Sequence, residues 1–569
     1  MWKPPFLLVF LNLFVPDLII AGDLSDNKRL TDIVGTTKGP VRGEILTTVP
    51  SNVYYASFSG IPYGKPPVKD LRFKPPVAVD NWEETFEAVE QTKPCPQFKG
   101  RFFGDEDCLY LNIYTPKTTF NSIDGDLRAV VVWIHGGAYM LGSASRSEFG
   151  PDFFIEENVV VVYLNYRLGA LGFLSLNHPN ATGNAALKDQ VLALKWVQQN
   201  IRKFGGDPTR ITIFGHSSAA VLVELHAISD MSRGLYNRSI SMSGSSLNPW
   251  GLSSTSVAVQ QAQLLGSQLS LSTDSTDELL EGLYHASAQD IVMATLKLMR
   301  LQTSFNLPFT PTVEDEEVTK DGFLTECTFH KYQKGEFNDF PYLMGFTNAE
   351  VAGYFPGRNG KFPGVAAFDK IIERVKTIVN ESEVILPDVL KRYQNGRNEN
   401  LDDWENIINE AVKVTSDVWF TLGIDQSLKY RAKGTAPVYY YRNSFAERNI
   451  PHFLDGVELD GVGHTDDLAQ IFWTPTSTQE TIDPMSPLSL QRKKMVRMWT
   501  NFVKFGNPTP SGTADPLLNI TWIPASLDGN YLEINANLTM GYSPITSLVK
   551  TLETAAIKME EKLNGCSRD

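Results

Sequence analysis

Positive charge and cysteine are both scarce in this 569-residue sequence. Its 51 lysines and arginines face 65 aspartates and glutamates, which gives a formal net charge of −14. An acidic balance of this kind disfavours nucleic acid and anionic membranes as partners. Only four cysteines are present, a number that suits an oxidising compartment in which disulfides are used sparingly.

Linkers and internal repeats are also missing. No stretch rich in proline, glycine or serine divides the chain, and no long polar or low-complexity tract interrupts it. Although the length alone would allow several domains, we predict a single domain over residues 23–569.

Long hydrophobic runs are absent apart from one near the N-terminus. Residues 6–20 are mostly apolar, follow Lys3 and end before Ala21-Gly22, a pattern typical of a signal peptide, which we predict over residues 1–22. The run is too short for a membrane anchor, and Asp17 interrupts it. Residues 548–569 are amphipathic and charged, so we expect neither a membrane span nor a lipid-anchor signal there.

The chain does contain an alternation of strand-like and helix-like segments. Residues 158–163 are typical of a buried strand and residues 186–204 of a helix, and this order favours a mostly parallel sheet with crossover helices. Residues 250–307 lack strong strand signals, and we expect them to form helical elements over the active site.

The most informative motif is Gly215-His216-Ser217-Ser218-Ala219. It follows a β-branched run at 210–213 and precedes an apolar stretch, so the order is strand, tight turn, helix. Such a turn holds its serine on a strained backbone and requires small residues two positions before and after it. The motif predicts Ser217 as a nucleophile for acyl transfer, which also needs a histidine base and a carboxylate.

The base can be chosen by elimination among the eight histidines, because in α/β-hydrolases the acid and then the histidine follow the serine. His226 falls inside the helix expected after the turn, and His452, beside a proline and a phenylalanine, is interpreted as a packed or surface residue. His464 lies in a glycine-flanked loop late in the chain, which suits a general base.

Glu350 is the candidate acid. It stands just past the predicted buried strand 342–346, and active groups of open parallel sheets collect at the carboxyl ends of strands. The alternative is a solvated loop carboxylate, the usual environment of glutamate. Its place between Ser217 and His464 favours the functional role.

A second glycine-rich turn predicts an oxyanion hole. The continuous apolar run 129–134, typical of a central parallel strand, ends in His135-Gly136-Gly137-Ala138. Consecutive small residues allow backbone N–H groups to approach a developing oxyanion without side chains in the way. The amide of Ser218, just after the nucleophile, is a further donor.

Together these motifs resemble the type-B carboxylesterase and cholinesterase family of α/β-hydrolases, with secreted insect esterases as the most similar members. The resemblance extends over nearly the whole chain and includes these further segments: Gly60-Ile61-Pro62-Tyr63, Leu71-Arg72-Phe73, Glu106 through Tyr114, Asn165 through Gly169, Leu187 through Gln190, and Trp499 through Pro508.

The resemblance implies an α/β-hydrolase fold, in which a large, mostly parallel, twisted central sheet has helices on both faces and a helical insertion over the active site. It implies a serine esterase that needs no metal or organic cofactor. The residues to which it assigns roles are Ser217, Glu350 and His464 as the catalytic triad, the amides of Gly137, Ala138 and Ser218 as the oxyanion hole, Ser243 as a neighbour of the triad, and Cys95 and Cys108 as a disulfide.

Four positions depart from the family pattern. Ala219 and Ala138 stand where glycine is usual, Ser218 where alanine is usual, and Val351 where glycine is common. Because alanine is the mildest replacement for glycine, we expect activity to be retained, with a different rate. We expect the Ser218 hydroxyl to be structural and to point into the following helix.

Some assignments stay open at this point. His216 either tunes the triad electrostatically or is a hydrogen-bonded histidine in the wall of the active-site gorge. Cys327 and Cys566 have no partner that the resemblance supplies, so free, locally paired and interchain thiols are all considered.

The segment between Cys95 and Cys108 contains no tryptophan. In cholinesterases the corresponding loop is longer and carries a tryptophan that stacks on the choline cation, so a choline ester is a poor candidate substrate. We therefore predict a secreted enzyme that cleaves an apolar carboxylic ester, a small-molecule substrate.

Secretion would expose five glycosylation sequons, at Asn180, Asn237, Asn380, Asn519 and Asn537. The alternative to an enzyme is a non-catalytic or slow-turnover binding or adhesion relative. Such proteins usually lose a triad member and carry a membrane span, whereas this sequence keeps all three triad residues.

Overall fold

A computed structural model of the chain describes residues 28–91, 93–121, 125–301, 306–356, 364–382, 384–396, 403–446, 451–474, 483–510 and 515–563. The predicted signal peptide, residues 1–22, and Cys566 lie outside these ranges.

The strands are short apart from a few central ones. They are β1 (Leu30–Gly35), β2 (Pro40–Thr47), β3 (Tyr54–Pro62), β4 (Phe86–Glu87), β5 (Gln97–Lys99), β6 (Arg101–Phe103), β7 (Tyr110–Thr115), β8 (Arg128–Ile134), β9 (Val160–Leu164), β10 (Gly206–His216), β11 (Arg238–Met242), β12 (Tyr342–Thr347), β13 (Val438–Asn443), β14 (Phe453–Leu454), β15 (Val457–Glu458), β16 (Asn530–Ile534) and β17 (Leu538–Tyr542).

The α-helices alternate with the central strands and dominate the second half of the chain. They are α1 (Asp152–Glu156), α2 (Gly169–Phe173), α3 (Ala185–Asn200), α4 (Ser218–Ile228), α5 (Thr255–Gln268), α6 (Thr276–His285), α7 (Ala288–Leu301), α8 (Thr328–Lys334), α9 (Gly364–Glu381), α10 (Asp388–Gly396), α11 (Trp404–Ser416), α12 (Leu422–Arg431), α13 (Pro487–Phe505) and α14 (Ser547–Leu563).

Short helical turns complete the chain. They are 3₁₀ turns at Lys69–Leu71, Ile201–Phe204, Asp230–Ser232, Glu350–Tyr354 and Leu468–Gln470, and a π-helical turn at Asp417–Thr421.

One large mixed sheet organises the fold. Its strands follow the order β1-β2-β3-β7-β9-β8-β10-β11-β12-β13-β16-β17, with β4 beside β2. The central strands from β9 to β16 run parallel, whereas both edges are antiparallel. The strand order reverses around β8 and β9, as expected when crossover helices must cover both faces of a parallel sheet. The predicted fold class is confirmed.

The residues of β8 show why the sheet is covered on both faces. Val130, Val132 and Ile134 belong to one hydrophobic core, and the alternating Val131 and Trp133 belong to another. Successive side chains of a strand point to opposite faces, so a continuous apolar run requires two cores. Side chains of α3 and α4 complete the first core, and side chains of α13 complete the second.

The described part of the region predicted to be helical, residues 250–301 and 306–307, has no strand and is mostly helical. It contains α5, α6 and α7, and α7 packs against α2 and against the small β5–β6 hairpin. This hairpin, Gln97–Lys99 with Arg101–Phe103, lies between Cys95 and Cys108, which are joined by a disulfide. The helical segment is thus anchored to the disulfide loop.

Candidate active site

Ser217 occupies the sharp turn between β10 and α4. Its φ of 60° and ψ of −128° lie outside the favoured regions for a residue with a side chain. Its amide donates to the carbonyl of Met242 on the neighbouring strand β11, at 2.8 Å. The turn therefore holds a serine at the carboxyl end of a central parallel strand, as the strand–turn–helix motif predicts.

Three glycines allow the backbone to close around this serine. A Cβ added at Gly136 would lie 2.5 Å from the carbonyl oxygen of His216, one at Gly215 would lie 2.4 Å from that of Ala219, and one at Gly244 would lie 2.4 Å from that of Ser217. Each distance is far below van der Waals contact. The site therefore requires glycine at these three positions, whereas the methyl group of Ala219 is accommodated in the core.

The structure brings the three predicted triad residues into one hydrogen-bonded chain. The distance from Ser217 Oγ to His464 Nε2 is 2.7 Å, and that from His464 Nδ1 to Glu350 Oε2 is 2.6 Å. The other carboxylate oxygen, Oε1, accepts a hydrogen bond from the amide of Thr347 at 2.8 Å. Both His464 and Glu350 are buried, so little water competes with these contacts.

The loop of His464 is fixed against the turn that carries Glu350. The amide of His464 donates to the main-chain carbonyl of Glu350 at 2.9 Å. Glycines make this approach possible, because a Cβ at Gly353 would lie 2.3 Å from the carbonyl oxygen of His464. Acid and base are therefore joined through both side chain and main chain.

His452 has a supporting place beside the same loop. Its Nε2 lies 2.9 Å from Asp466 Oδ2, and the same oxygen accepts a hydrogen bond from the amide of Gly463 at 2.7 Å. His452 is buried and packs against the His464 loop, so of the two interpretations, a packed or a surface residue, the packed one holds.

The predicted oxyanion turn is strongly strained. Gly137, Ala138 and Tyr139 all have positive φ, at 125°, 54° and 62°. The latter two carry a Cβ, and left-handed backbone of this kind costs about 1–3 kcal/mol per residue. Gly136 meanwhile brings the turn against the nucleophile, since a Cβ there would lie 3.3 Å from Ser217 Cβ.

The hydroxyl of Ser218 is directed differently from our expectation. It does not face into α4 but accepts a hydrogen bond from the Tyr139 amide of the oxyanion turn, at 3.3 Å. The residue is completely buried at the first position of α4.

Histidine and aromatic rings surround the base. The ring of His464 lies 4.6 Å from that of His216, 4.9 Å from that of Phe420 and 5.8 Å from that of Tyr354, between centroids. Burial, and secondarily the nearby His464, hold the pKa of His216 well below its ordinary value of 6.5. His216 is therefore neutral, which avoids repulsion when His464 takes a proton.

Asp467 is a buried carboxyl group that sequence reasoning missed. One of its oxygens lies 3.9 Å from His216 Nε2, and neither oxygen accepts a hydrogen bond from the part of the chain that the structure describes. Burial, followed by the charges of Glu350 and Asp466, raises the pKa of Asp467 well above its ordinary value of 3.8. No pattern in the sequence distinguishes it from a solvated loop carboxylate.

Ser243 lies close to the triad in the sheet but makes no polar contact with it. Its amide donates to the carbonyl of Gly345 on β12, its φ is 56°, and it is fully buried. Its hydroxyl has no hydrogen-bond partner among the described residues. It therefore shapes the turn after β11, beside the elbow.

An apolar cavity borders the oxyanion turn. Met140 and Leu141, which follow the turn, line it together with Phe98 from the disulfide loop and with Ile291 and Met299 from α7. It offers no charged side chain to a ligand. Across the described ranges, no group of three or more histidine, cysteine, aspartate or glutamate residues could hold a metal ion.

The remaining predicted positions lie away from the site. Asn180, Asn380, Asn519 and Asn537 are exposed, whereas Asn237 is half-buried and its side-chain amide donates to the carbonyl of Thr209. Cys327 is disulfide-bonded, and none of the cysteines in the described segments is free. No described helix is both long enough and apolar enough to cross a membrane.

Comparisons with known proteins agree with this geometry. A family model described as the carboxylesterase family matches residues 31–555. Venom carboxylesterase-6 of Apis mellifera is 31% identical over 523 residues, covering 88% of this chain and 90% of that protein. Juvenile hormone esterase of Tribolium castaneum is 31% identical over 519 residues, covering 86% and 85%.

A solved structure is similar across almost the same length. It is the crystal structure of juvenile hormone esterase from Manduca sexta with OTFP covalently attached, which matches with a TM-score of 0.77 at 26% sequence identity. The match covers 94% of this chain and all (100%) of the other.

Proposed function

The chain belongs to the carboxylesterase family and is a carboxylic ester hydrolase, and from that premise we propose that it cleaves an apolar ester through an acyl-enzyme formed on Ser217. The observation that carries this proposal is the continuous chain from Ser217 Oγ to His464 to Glu350, with distances of 2.7 and 2.6 Å. Nucleophile, base and orienting acid at hydrogen-bond distance are what acyl transfer requires.

In the first half of the reaction, Ser217 Oγ attacks the ester carbonyl carbon and its proton moves to His464 Nε2. Glu350 stabilises the resulting imidazolium and fixes the ring through Nδ1. The tetrahedral oxyanion accepts hydrogen bonds from backbone amides, to which we assign Gly137, Ala138 and Ser218. The carbon–oxygen bond to the alcohol then breaks, and the alcohol leaves with the proton from His464.

In the second half, water replaces the alcohol. His464 removes a proton from the water as its oxygen attacks the acyl carbon, and a second tetrahedral oxyanion forms. The bond to Ser217 Oγ breaks, the serine regains its proton from His464, and the carboxylic acid is released. Each oxyanion donor is typically worth about 10²–10³ in turnover.

An apolar substrate is supported by the rings of Phe420 and Tyr354 around the base and by the apolar side chains of Met140 and Leu141, which follow the oxyanion turn. The disulfide loop contains no tryptophan, which argues against a choline ester. Two of the similar proteins are named as juvenile hormone esterases, so we propose juvenile hormone as the first natural substrate to screen.

We also propose that the protein is secreted, as one domain spanning residues 23–569 after removal of a signal peptide at residues 1–22. The apolar N-terminal run, the disulfide between Cys95 and Cys108, and the exposed sequons support this location. One similar protein is named as a venom carboxylesterase. Of the sequons, Asn237 is the least accessible, so we propose the four exposed ones as the modified sites.

The first experiment compares hydrolysis of a short-chain nitrophenyl ester by the parent and by Ser217→Ala. We expect the parent to release nitrophenol with turnover, and the variant to lose at least about 10³ of kcat, because the acylated atom is gone. The matched control is Ser270→Ala, an exposed serine that also has positive φ, at 59°, and it should retain full activity.

A covalent label locates the acyl group independently. A fluorophosphonate should add one equivalent to the parent on the peptide containing Ser217, and none to Ser217→Ala. Retained activity or labelling in Ser217→Ala would overturn the assignment of the nucleophile. A single stoichiometric burst without turnover would instead indicate a slow-turnover binding protein.

A further inference from the structure

The oxyanion turn contains two consecutive strained residues that must be held in place. Ala138 and Tyr139 have φ of 54° and 62°, and each costs about 1–3 kcal/mol relative to relaxed backbone. Such a turn persists only when its surroundings over-determine it. The contacts of Tyr139, which directly follows one proposed oxyanion donor, are therefore the place to look.

Tyr139 is held at its carbonyl, its amide and its ring. Its carbonyl accepts a hydrogen bond from the amide of Gly169 at 2.7 Å, and its ring is buried edge-on against Phe173, with centroids 5.3 Å apart. Its amide donates to Ser218 Oγ at 3.3 Å, the one partner that the described residues give it. Without that oxygen, a buried N–H group would be unpaired, at a cost of about 1–3 kcal/mol.

Ser218 thus lies at the junction of the two turns that build the site. Its backbone amide follows the nucleophile, and its side chain reaches across to the other turn. We propose that the Ser218 hydroxyl is a positioning group that holds the oxyanion turn in its strained, donor-presenting conformation. This rests on the proposed function, since it assigns a task to the same oxyanion hole.

The bond joins two segments that are 79 residues apart in sequence. When it is present, the amides of Ala138 and Ser218 are fixed relative to each other. When it is lost, the turn is free to relax, and the amide of Ala138 moves with its neighbour. Because the oxyanion is present in the transition state and not in the bound substrate, the loss should destabilise the transition state more than the bound substrate.

The test is Ser218→Ala, which removes the hydroxyl and leaves the backbone amide in place. We expect kcat to fall about tenfold, less than the loss of a whole donor, with KM changed by less than about twofold because ground-state binding is untouched. The affinity for an alkyl trifluoromethyl ketone, which adds to the serine as a tetrahedral adduct, should fall by the same factor as kcat. Ser218→Thr, which keeps a hydroxyl, serves as the second variant and should retain a kcat closer to that of the parent.

The matched control is Ser254→Ala. Ser254 Oγ also accepts a backbone amide, that of Val257, at 3.3 Å, but at the start of α5. Both variants should lose thermal stability, whereas only Ser218→Ala should lose kcat and ketone affinity. Hydrogen exchange of the peptide containing Tyr139 should also quicken only in Ser218→Ala.

Two outcomes overturn the proposal. If Ser218→Ala keeps the parental kcat and ketone affinity while its melting temperature falls like that of Ser254→Ala, the hydroxyl is merely structural. If the Tyr139 peptide exchanges at the parental rate, the hydroxyl does not hold the turn. Failure of the proposed function is seen separately, as activity that survives in Ser217→Ala.

Discussion

At the scale of single residues, Asp467 has the most costly environment near the triad. Its carboxyl group is buried, and neither oxygen accepts a hydrogen bond from the described residues. Its pKa is raised well above 3.8, first by burial and then by the charge of Glu350. Between pH 3.8 and the raised value, the folded chain keeps a proton that the unfolded chain has lost, so stability falls as pH rises through this window.

Replacing this carboxyl group should therefore stabilise the fold at neutral and alkaline pH. We expect Asp467→Asn to raise the free energy of unfolding by about 1–3 kcal/mol at pH 8, because an amide ionises in neither state and the unfolded chain no longer gains from losing this proton, and to change little at pH 4. Urea unfolding at both values measures this. Asp528→Asn, at an exposed position, is the control, and an equal effect of both variants at pH 8 would contradict the prediction.

The sequence pointed to single residues only where a motif surrounds them. Ser217 follows Gly215 in a strand–turn–helix motif, His464 follows two closely spaced glycines in a loop, and Glu350 follows a recognisable strand. Asp467 had no such mark, because Asp466-Asp467 in a loop is typical of solvated charge. The contact of Ser218 with Tyr139 could not be predicted either, since side-chain direction on a strained turn depends on the packing of a second turn.

At the scale of secondary structure elements, Arg72 closes the end of α6. Its guanidinium donates to the carbonyls of Leu283, Tyr284 and Ala286, at 2.6–3.0 Å, and also forms a two-pronged bond with Glu106 at 2.7 Å. The last carbonyls of a helix have no partner within it, so a buried arginine satisfies them and complements the helix dipole. The same residue connects α6 to the disulfide loop.

Removing this arginine should loosen the helical segment. We expect Arg72→Ala to lower the free energy of unfolding by about 3–5 kcal/mol, because a half-buried carboxylate and three carbonyls at the end of α6 lose their partner. Arg42→Ala is the control, since Arg42 pairs with Glu87 at the surface, with side chains 36% and 44% exposed, where such pairs contribute about 0–1 kcal/mol. Chemical unfolding of both variants measures the two changes. An equal decrease in the free energy of unfolding would contradict the prediction for Arg72.

Long elements were predictable, and short ones were not. The apolar runs that became β8, β9 and β12 and the helical region after residue 250 have enough residues for their pattern to show. The three-residue strands of the β5–β6 hairpin and the π-helical turn at Asp417–Thr421 are too short to show a hydrophobic periodicity in the sequence. Their conformation is fixed by neighbours such as α7 instead.

At the scale of the whole molecule, buried neutral histidines set the response to acid. Burial lowers the pKa of His135 to about 4 and that of His226 to about 3, and holds that of His216 well below 6.5. Below pH 6.5 these three histidines bind protons in the unfolded chain, whereas in the folded chain they stay neutral. Stability is therefore lost as pH falls from 6.5 toward the folded values, by up to about 1.4 kcal/mol per pH unit for each histidine.

The melting temperature should fall steeply between pH 6.5 and 4.5. In His226→Gln the unfolded chain binds about one proton fewer over this range, so the fall should be less steep. His226 lies at the end of α4, bonded to Ser232 and Gln190, so its loss does not touch the reacting groups. His285→Gln, an exposed histidine paired with Glu281, is the control. A melting temperature with the same pH slope in parent and His226→Gln would contradict the prediction.

The arrangement of the whole chain was largely predictable because its central strands are apolar on both faces, which only a covered parallel sheet explains. The relative positions of turns that are distant in the sequence could not be predicted. Tyr139 and Ser218 are 79 positions apart in the sequence, and Glu350 and His464 are 114 positions apart. Only the packing of the whole fold brings each pair within hydrogen-bond distance.

The three glycines around Ser217 also govern how such a sequence can diverge. Gly136, Gly215 and Gly244 lie at the carboxyl ends of three neighbouring strands, β8, β10 and β11, and each faces backbone atoms that no rotamer change can move away. A side chain at any of these positions would force the backbone around Ser217 to shift, so we expect substitutions there to abolish activity. Substitutions that change substrate preference should therefore occur among the side chains around the catalytic triad, while the glycines that pack against Ser217 stay the same.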